Sequence, residues 1–500
     1  MATLSELRNV RIEKLKKLRK MGVNPYTATS TKQVPNKQLT EDFDNAVGKT
    51  FTVTGRISAI RKHKGVAFFD LKDASGKIQL YIKESALTNV NYKNSELKFK
   101  DLDLLDLGDF AEATGKLTKT KTDEVSLEIT KLRILTKSIR PLPNRWDGLK
   151  DKETRIRRRY LDTNMNKNVF ERYIRRAKFW EAHREFFKRN DFLEMNVPIL
   201  ENVPGGADAN PFVTHMDAID EDFYLRISQE LYLKRLIGGG YERVYEIGPR
   251  FRNEGYSDEH LPEHIAMEFY WAYKNFEDGI NFLIDLIKFV AKEVYDTNKF
   301  KIRGHNVDLS KKWEWKNYVD LIKDNYGIDP FDTTVDDVRK ILKDLAPDAP
   351  KNITLNRGID RLWKELRKNI CGPIIVVNEP KFLSPLSKEN PKDERLALRY
   401  HPIIAGSEIG NGFAELNDPI DQLNRFKEQQ KLRDLGDKEA QFLDIDFVEM
   451  LEYGMPPTFG HGHSERIFWF FEDVPAKEGV PFPQLKHEID ETTKKIYNLK

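Results

Sequence analysis

The chain has one cysteine, Cys371, in 500 residues. A disulfide framework and a cysteine-built zinc site within one chain are both excluded. No apolar run approaches the ~20 residues that span a bilayer, and the N-terminus has no apolar signal core. A soluble cytoplasmic protein with no membrane partner is expected. An excess of either charge is also missing: 83 Lys and Arg face 80 Asp and Glu, for a net charge of +3. Net charge therefore says little about partners, and the distribution of charge has to say more.

That distribution is uneven. Residues 1–20 carry seven Lys/Arg against two acids, and residues 131–160 carry eleven against three. Local basic patches on a near-neutral chain suit nucleic-acid contact at chosen places, although solvated helix faces give the same pattern. The charged fraction, 33%, is high, while 39% hydrophobic residues can build sizeable cores. Five hundred residues imply more than one domain.

In chain order, residues 3–21 read as a helix with Leu4, Leu7, Leu15 and Leu18 on one stripe, ended by Gly22 and Pro25. It is placed to dock on the next domain and show its basic face. Residues 51–60, 66–72, 77–83, 109–119 and 124–135 alternate as five strands, with a helical stretch between the third and fourth. Five strands of this length predict an OB-fold barrel. Alternation turns Phe68 outward on the second strand and Gln79 and Tyr81 outward on the third. An aromatic beside an amide makes a platform for stacking and hydrogen-bonding a base. Residues 136–160 read as a linker carrying Pro141 and Pro143, and 168–190 as a long amphipathic helix. Phe192–Pro198 looks like a strand ending in proline. Ser228 reads as the N-cap of a helix with Glu230 in its first turn. Residues 299–372 read as mostly helical.

Two stretches carry chemistry. Glu242–Ile247 and Ala266–Trp271 alternate on either side of a polar loop, which predicts an antiparallel hairpin. Arg250, Arg252 and Glu254 are expected on one face, and Glu268 and Tyr270 share a face of the return strand. Guanidinium, carboxylate and phenol together suit a site that holds an anion and an ammonium, although a surface charge ladder gives the same pattern. Downstream, Asn411, Phe413 and Glu415 alternate on one face: an amide, an aromatic wall and an acid, a recess for an aliphatic stem with a cationic end. Glu408 has the opposite parity, so a bulge near Gly410 or Gly412 must redirect it if it serves the same site.

The run Phe251-Arg-Asn-Glu-Gly255, His260-x-Pro-Glu263 and Met267-Glu-Phe-Tyr-Trp-Ala-Tyr273 resembles motif 2 of the class II aminoacyl-tRNA synthetases, in the form of the lysine enzymes. Residues 168–198 resemble motif 1, which builds the homodimer. Gly460-His-Gly-His-Ser-Glu-Arg466 resembles motif 3. Gly205–Phe212 resembles the family's amino-acid loop, Ser384-Pro-Leu386 a family signature, and the barrel, with Gly76–Tyr81 and Lys119–Thr122, its anticodon-binding domain.

The resemblance implies an α+β protein: a five-stranded OB-fold barrel, then a catalytic domain with an antiparallel sheet flanked by helices. The expected domains are 1–49 (basic helix and extension), 50–138 (barrel), 139–167 (linker) and 168–500 (catalytic, with a helical insertion at about 299–372). It implies attachment of L-lysine to tRNA(Lys) through a lysyl-adenylate, with ATP as substrate and Mg²⁺ as cofactor. Arg252, Arg466 and His260 are the implied catalytic residues. Glu254 and His264 join them at ATP, His264 standing where the family stacks a Phe on adenine. Gly206, Glu230, Glu268, Tyr270, Asn411, Phe413 and Glu415 are implied at lysine. Phe68, Gln79 and Glu124 are implied at the anticodon. Glu408 is the implied metal ligand. His401 stands where the family has a second metal acid; imidazole is a poor Mg²⁺ ligand, so that contact passes to Glu415 or water. An aspartate or asparagine ligase of the same subclass and a catalytically impaired tRNA-binding paralogue are the rival readings. The acidic pocket candidates argue against aspartate, and intact Arg252 and Arg466 argue against the paralogue.

Overall fold

The structure, a computed structural model, describes residues 3–143, 149, 151–350 and 352–499. It divides into two compact units, residues 1–150 with 486–500, and residues 151–485. The sequence reading ran the last domain to residue 500. Instead residues 486–500 belong to the first unit, where the ring of Tyr497 lies 5.7 Å from the Arg8 guanidinium. Part of the expected linker, 144–148 and 150, lies outside the described residues. The rest of its second half is structured: the short helices Lys152–Arg157 and Arg159–Met165 belong to the second unit, pinned by the buried Arg159–Asp162 pair at 2.7 Å.

In the first unit, β1 (Thr50–His63), β2 (Val66–Lys72), β3 (Lys77–Lys83), β4 (Phe110–Lys119) and β5 (Val125–Thr136) close into a barrel in the order β1-β2-β3-β5-β4. All strand pairs are antiparallel except β3 with β5. Period-two alternation closes the core: Ala67, Phe69, Leu71, Ile78, Leu80 and Ile82 are buried, and their neighbours face out. The helical stretch expected between β3 and β4 is a set of short 3₁₀ turns, 84–86, 92–94 and 99–104. The N-terminal helix Leu4–Lys20 starts in a Thr3/Glu6 capping box. It docks through buried Leu15 and Leu18, and through Arg11, which donates to the carbonyls of Ser138 and Leu107. Leu7, expected on the same stripe, is exposed.

The second unit is built on a nine-stranded sheet among the described residues. Its order runs Glu314–Asn317, Ile374–Val377, Arg399–Ile404, Gly410–Ala414, Thr458–Ser464, Glu263–Ala272, Arg243–Phe251, Leu193–Glu194, with Ser407–Glu408 paired to Arg399–Ile404. The centre is antiparallel as expected, and both outermost pairings are parallel, so the sheet is mixed. The strand expected over 192–198 keeps only Leu193 and Glu194. The insertion expected to be helical begins with strands at 299–302, 305–308 and 314–317 before the helices Tyr318–Tyr326, Val335–Leu345 and Leu355–Leu366.

Helices Lys167–Arg189 and Phe276–Tyr295 pack aromatic rings on one side of the sheet. Phe187 is fully buried against Tyr245, with centroids 4.4 Å apart, and touches Phe269 and Phe282. Each such ring is worth about 1.5–3 kcal/mol of burial. A second core of Leu231, Ile237, Phe426 and Phe447 packs beneath helices Glu230–Gly238 and Ile445–Tyr453.

Candidate functional site

Two rows of residues cross the centre of the sheet. Glu268, Gly462 and Asn411 are register partners in one, and Tyr270, Gly460 and Phe413 in the next. Glycine holds the middle of each row, so the sheet has a hollow where its outer neighbours carry large or charged side chains. A Cβ at Gly460 would lie 2.0 Å from Glu415 Oε1 and 2.6 Å from the Tyr270 ring. The hollow floors a cleft of roughly 310 Å³.

Helix Glu230–Gly238 points its first turn into this cleft. The expected cap, Ser228, lies one residue early: Gln229 is the N-cap, and the Ser228 hydroxyl accepts from Glu230 N and donates to Glu268 Oε1 at 2.6 Å. Glu268 Oε2 accepts from the Tyr270 hydroxyl at 3.0 Å, and Arg250 Nη2 lies 3.0 Å from Oε1. Gly206, at φ +82°, brings the loop 205–212 against Glu230; a Cβ there would meet the Glu230 Cβ at 2.6 Å. Asn210 O accepts from Asn253 N at 2.7 Å, which ties that loop to the start of the motif 2 loop.

Glu230, Glu268 and Glu415 thus converge on one floor with Arg250 and Tyr270. Burial raises Glu415 well above the ordinary carboxylate range, opposed by the ammonium of Lys234, which touches Glu415 Oε2 and lies 2.7 Å from Glu230 Oε1. Burial raises Glu230 too, again opposed by Lys234. Glu415 Oε1 has no hydrogen-bond donor among the described residues, while Oε2 is met by the Lys234 ammonium. A buried carboxylate oxygen in that state is a strong acceptor waiting for a donor.

The residues expected at ATP lie on the hairpin and its loop, except Arg466, which opens the helix Arg466–Phe471. The first strand ends at Phe251, so alternation stops before Arg252. Arg250 and Arg252 both line the cleft, whereas Glu254 is exposed on the loop. Burial and neighbouring Arg250 lower Arg252 to about 10, still a cation at neutral pH. Arg466 Nη1 donates to the Glu408 carbonyl at 2.9 Å, and its Nη2 lies 3.0 Å from His260 Nε2. Burial, then Arg466, lowers His260 to about 4. His260 therefore brings no charge to the site. It accepts at Nε2, and its Nδ1–H faces Ser257 Oγ at 2.6 Å. His264 sits opposite Arg250 on the return strand with its Nδ1 3.2 Å from the Leu261 carbonyl, and burial keeps it neutral as well. Glu259, unmarked in the sequence, faces Arg466 at 3.7 Å and accepts from Ser407 at 2.5 Å.

The expected metal position is built differently. His401 is buried between Glu408, 3.2 Å from Nδ1, and Glu379, 3.4 Å from Nε2. Burial alone would lower His401, but Glu408 and Glu379 together raise it to about 9, and it holds Glu408 well below the usual carboxylate range. An imidazolium occupies the space between two carboxylates that a resident cation would need. Glu415, the alternative ligand, is engaged by Lys234. No group of three His, Cys, Asp or Glu among the described residues is arranged to hold a metal ion. These residues do not fit a resident carboxylate-bridged Mg²⁺.

Behind the floor lies a row of buried histidines. Tyr400 OH lies 2.7 Å from His461 Nδ1, His461 Nε2 3.2 Å from His463 Nδ1, His463 Nε2 3.0 Å from His183 Nε2, and His183 Nδ1 2.7 Å from the Phe179 carbonyl. Burial lowers His183 to about 4 and His461 to about 3, and lowers His463 well below its ordinary value.

On the barrel, Phe68 and Tyr81 are cross-strand partners with stacked rings, centroids 5.3 Å apart and planes 11° apart. His63 packs edge-on to Phe68, and Lys83 Nζ lies 5.0 Å from the Tyr81 ring. Gln79 Oε1 accepts from Ser126 Oγ at 2.8 Å, and Glu124 is exposed just before β5. Phe68 and Gln79 share the outer face, as their alternation implies.

Sequence reasoning missed Lys234, Glu379 and Arg399, and missed that Asn356, Arg357 and Trp363 of the insertion line the cleft. Lys234 had one signal, its place four residues after Glu230 on the same helix.

Residues 151–486 match the family model described as "tRNA synthetases class II (D, K and N)", and residues 51–135 match that of the OB-fold nucleic acid binding domain. The chain is 37% identical to a lysine–tRNA ligase of Fervidobacterium nodosum, covering 97% of this chain and 95% of that one. It is 39% identical to those of Thermotoga maritima and a Thermoanaerobacter species, over 97% of this chain and 96–97% of theirs.

Proposed function

The chain belongs to the class II tRNA synthetases and, within them, to the lysine–tRNA ligases, and from this we propose how its residues attach L-lysine to tRNA(Lys) through a lysyl-adenylate. The observation that carries the reading is the acidic floor, where Glu415 keeps a buried oxygen without a well-directed donor beside Tyr270. The side-chain ammonium of lysine meets Glu415 and the free lone pair of the Tyr270 hydroxyl, its stem against Phe413. Its α-ammonium meets Glu230 and the Gly206 loop, and Glu268, fixed by Ser228, Tyr270 and Arg250, frames both. An aspartate side chain would face three carboxylates here, which disfavours that rival by several kcal/mol.

The substrate carboxylate attacks the α-phosphate of ATP and pyrophosphate leaves; the 3′-terminal ribose hydroxyl of tRNA then takes the lysyl group. Arg252 neutralises the α-phosphate and Arg466 clamps the terminal phosphates. No side-chain nucleophile is needed, so catalysis is positioning and charge stabilisation. His260 contributes hydrogen bonds that hold Arg466. His264 offers a neutral ring to the adenine. Mg²⁺ enters on this reading as the counter-ion of the nucleotide phosphates. Phe68, Gln79 and Glu124 receive the anticodon. A homodimer through the motif 1 segment and a cytoplasmic setting belong to the same reading. Amino-acid-dependent ATP–pyrophosphate exchange over the twenty amino acids tests it: lysine should support exchange far above the others. Equal exchange with aspartate or asparagine, or none with any, overturns it.

A further inference from the structure

The lysine pocket contains a lysine of the chain itself. Lys234 lies one turn along the helix from Glu230, with no exposed surface. Its ammonium bridges Glu230 Oε1 and Glu415 Oε2, and the rings of Phe413 and Phe447 lie 5.2 and 5.7 Å from it. An ammonium so far from water persists only because two carboxylates meet it. Yet those two carboxylates are the ones assigned to the two ammonium groups of the substrate. The floor would look more receptive without Lys234, so its presence needs a reason.

Counting charges supplies one. Counted as ionised, the form that the Lys234 ammonium favours against burial, Glu230, Glu268 and Glu415 bring three negative charges to the floor, while Lys234 and Arg250 return two positive ones and Arg399 is matched by Glu379. One negative charge remains. An amino acid with a cationic side chain carries one net positive charge, and a neutral amino acid carries none.

We propose that Lys234 is a positioning and specificity residue, a built-in counter-ion that sets the floor at one unmatched negative charge and holds Glu230 and Glu415 apart to receive the two ammonium groups. The proposal rests on the assignment of this floor to the amino acid. Lys234 acts through Glu230 and Glu415 and does not line the cleft itself.

A double-variant cycle tests it in lysine-dependent ATP–pyrophosphate exchange on the full chain. Glu415→Gln removes one negative charge and should lower kcat/KM for lysine at least ~30-fold. Adding Lys234→Met removes one positive charge and restores the floor to minus one. The double variant should therefore regain at least threefold over Glu415→Gln alone, with the gain in KM for lysine and KM for ATP unchanged. Lys234→Arg, which keeps the charge, should keep more activity than Lys234→Met. The single Lys234→Met variant leaves both Glu230 and Glu415 uncompensated and is the one at risk of misfolding; the double variant leaves only Glu230 unmatched and should melt above that single variant. A double variant that regains less than threefold overturns the role of Lys234 while leaving the pocket assignment intact. A loss below threefold in Glu415→Gln alone overturns the pocket assignment instead, and the proposal with it.

Discussion

The barrel face and the cleft floor use charge in opposite ways. On the barrel, charges sit around a stacked aromatic pair and stay wet: Lys83 and Glu128 are 2.7 Å apart with about 40% of each side chain exposed. Such pairs contribute about 0–1 kcal/mol. On the floor, Glu230, Glu415 and Lys234 are buried, and each carries a shift produced first by burial and then by its neighbours. On the proposed reading, the barrel face serves a ligand that brings π-surface and the floor one that brings a cation. The lesson is that the same residue types, Lys and Glu at bonding distance, make an exposed, weak pair in one place and a buried, strongly shifted one in the other.

The contrast can be broken most directly at Glu415. Glu415→Gln should cost about 2–5 kcal/mol of transition-state stabilisation for lysine, in pyrophosphate exchange and in tRNA charging alike. Steady-state kinetics in both assays measure it, and a loss confined to charging would assign Glu415 to tRNA.

Next in size is the acid response of the second unit. Below pH 6.5 the unfolded chain protonates His183, His461 and His463, whereas the folded chain resists until about pH 4 at His183 and about 3 at His461. Between those limits the unfolded state binds more protons, so stability falls as pH falls. These rings should lower the melting temperature from pH 6.5 toward pH 4, against the Glu201 carboxyl, which burial raises to about 9 and which acts with the opposite sign; a slope unchanged by His461→Gln would show that this ring already titrates in the fold.

A smaller effect belongs to the barrel. Phe68→Ala should weaken tRNA binding by about 1–3 kcal/mol and leave lysine-dependent exchange nearly intact. Equal loss in both assays would make Phe68 a folding residue. Smallest of all, Lys83→Ala should change stability by less than about 1 kcal/mol by chemical denaturation. A cost as large as that of a buried pair would erase the distinction between the two surfaces.

Much of this was legible in the chain. The five barrel strands and the hairpin follow from alternation, because a strand with one buried face must alternate. Asn411, Phe413 and Glu415 were readable for the same reason. What escaped was long-range pairing. Lys234, beside Arg235, reads as an ordinary basic helix face, and only the arrival of Glu415 from 181 positions away buries it. His401 reads as a lost metal ligand until Glu379 is placed beside it. That His260 is neutral was not legible either, because its depression comes from burial and Arg466, neither visible in sequence. Residues 299–317 looked helical because their short strands pair too few residues to set a period.

The histidine row behind the floor has a direction. His183 Nδ1 faces a carbonyl, so that nitrogen carries the hydrogen and Nε2 of the neutral ring is left to accept. His463 must then donate from Nε2, His461 from Nε2, and Tyr400 from its hydroxyl, so every hydrogen in the row points toward Phe179. The bond dipoles add head to tail. Their negative end is the Tyr400 oxygen, packed directly beneath Gly412, where a Cβ would come within 2.8 Å of it. A row of uncharged side chains thus points a standing negative pole at the cleft, and does so without a group that titrates near neutral pH.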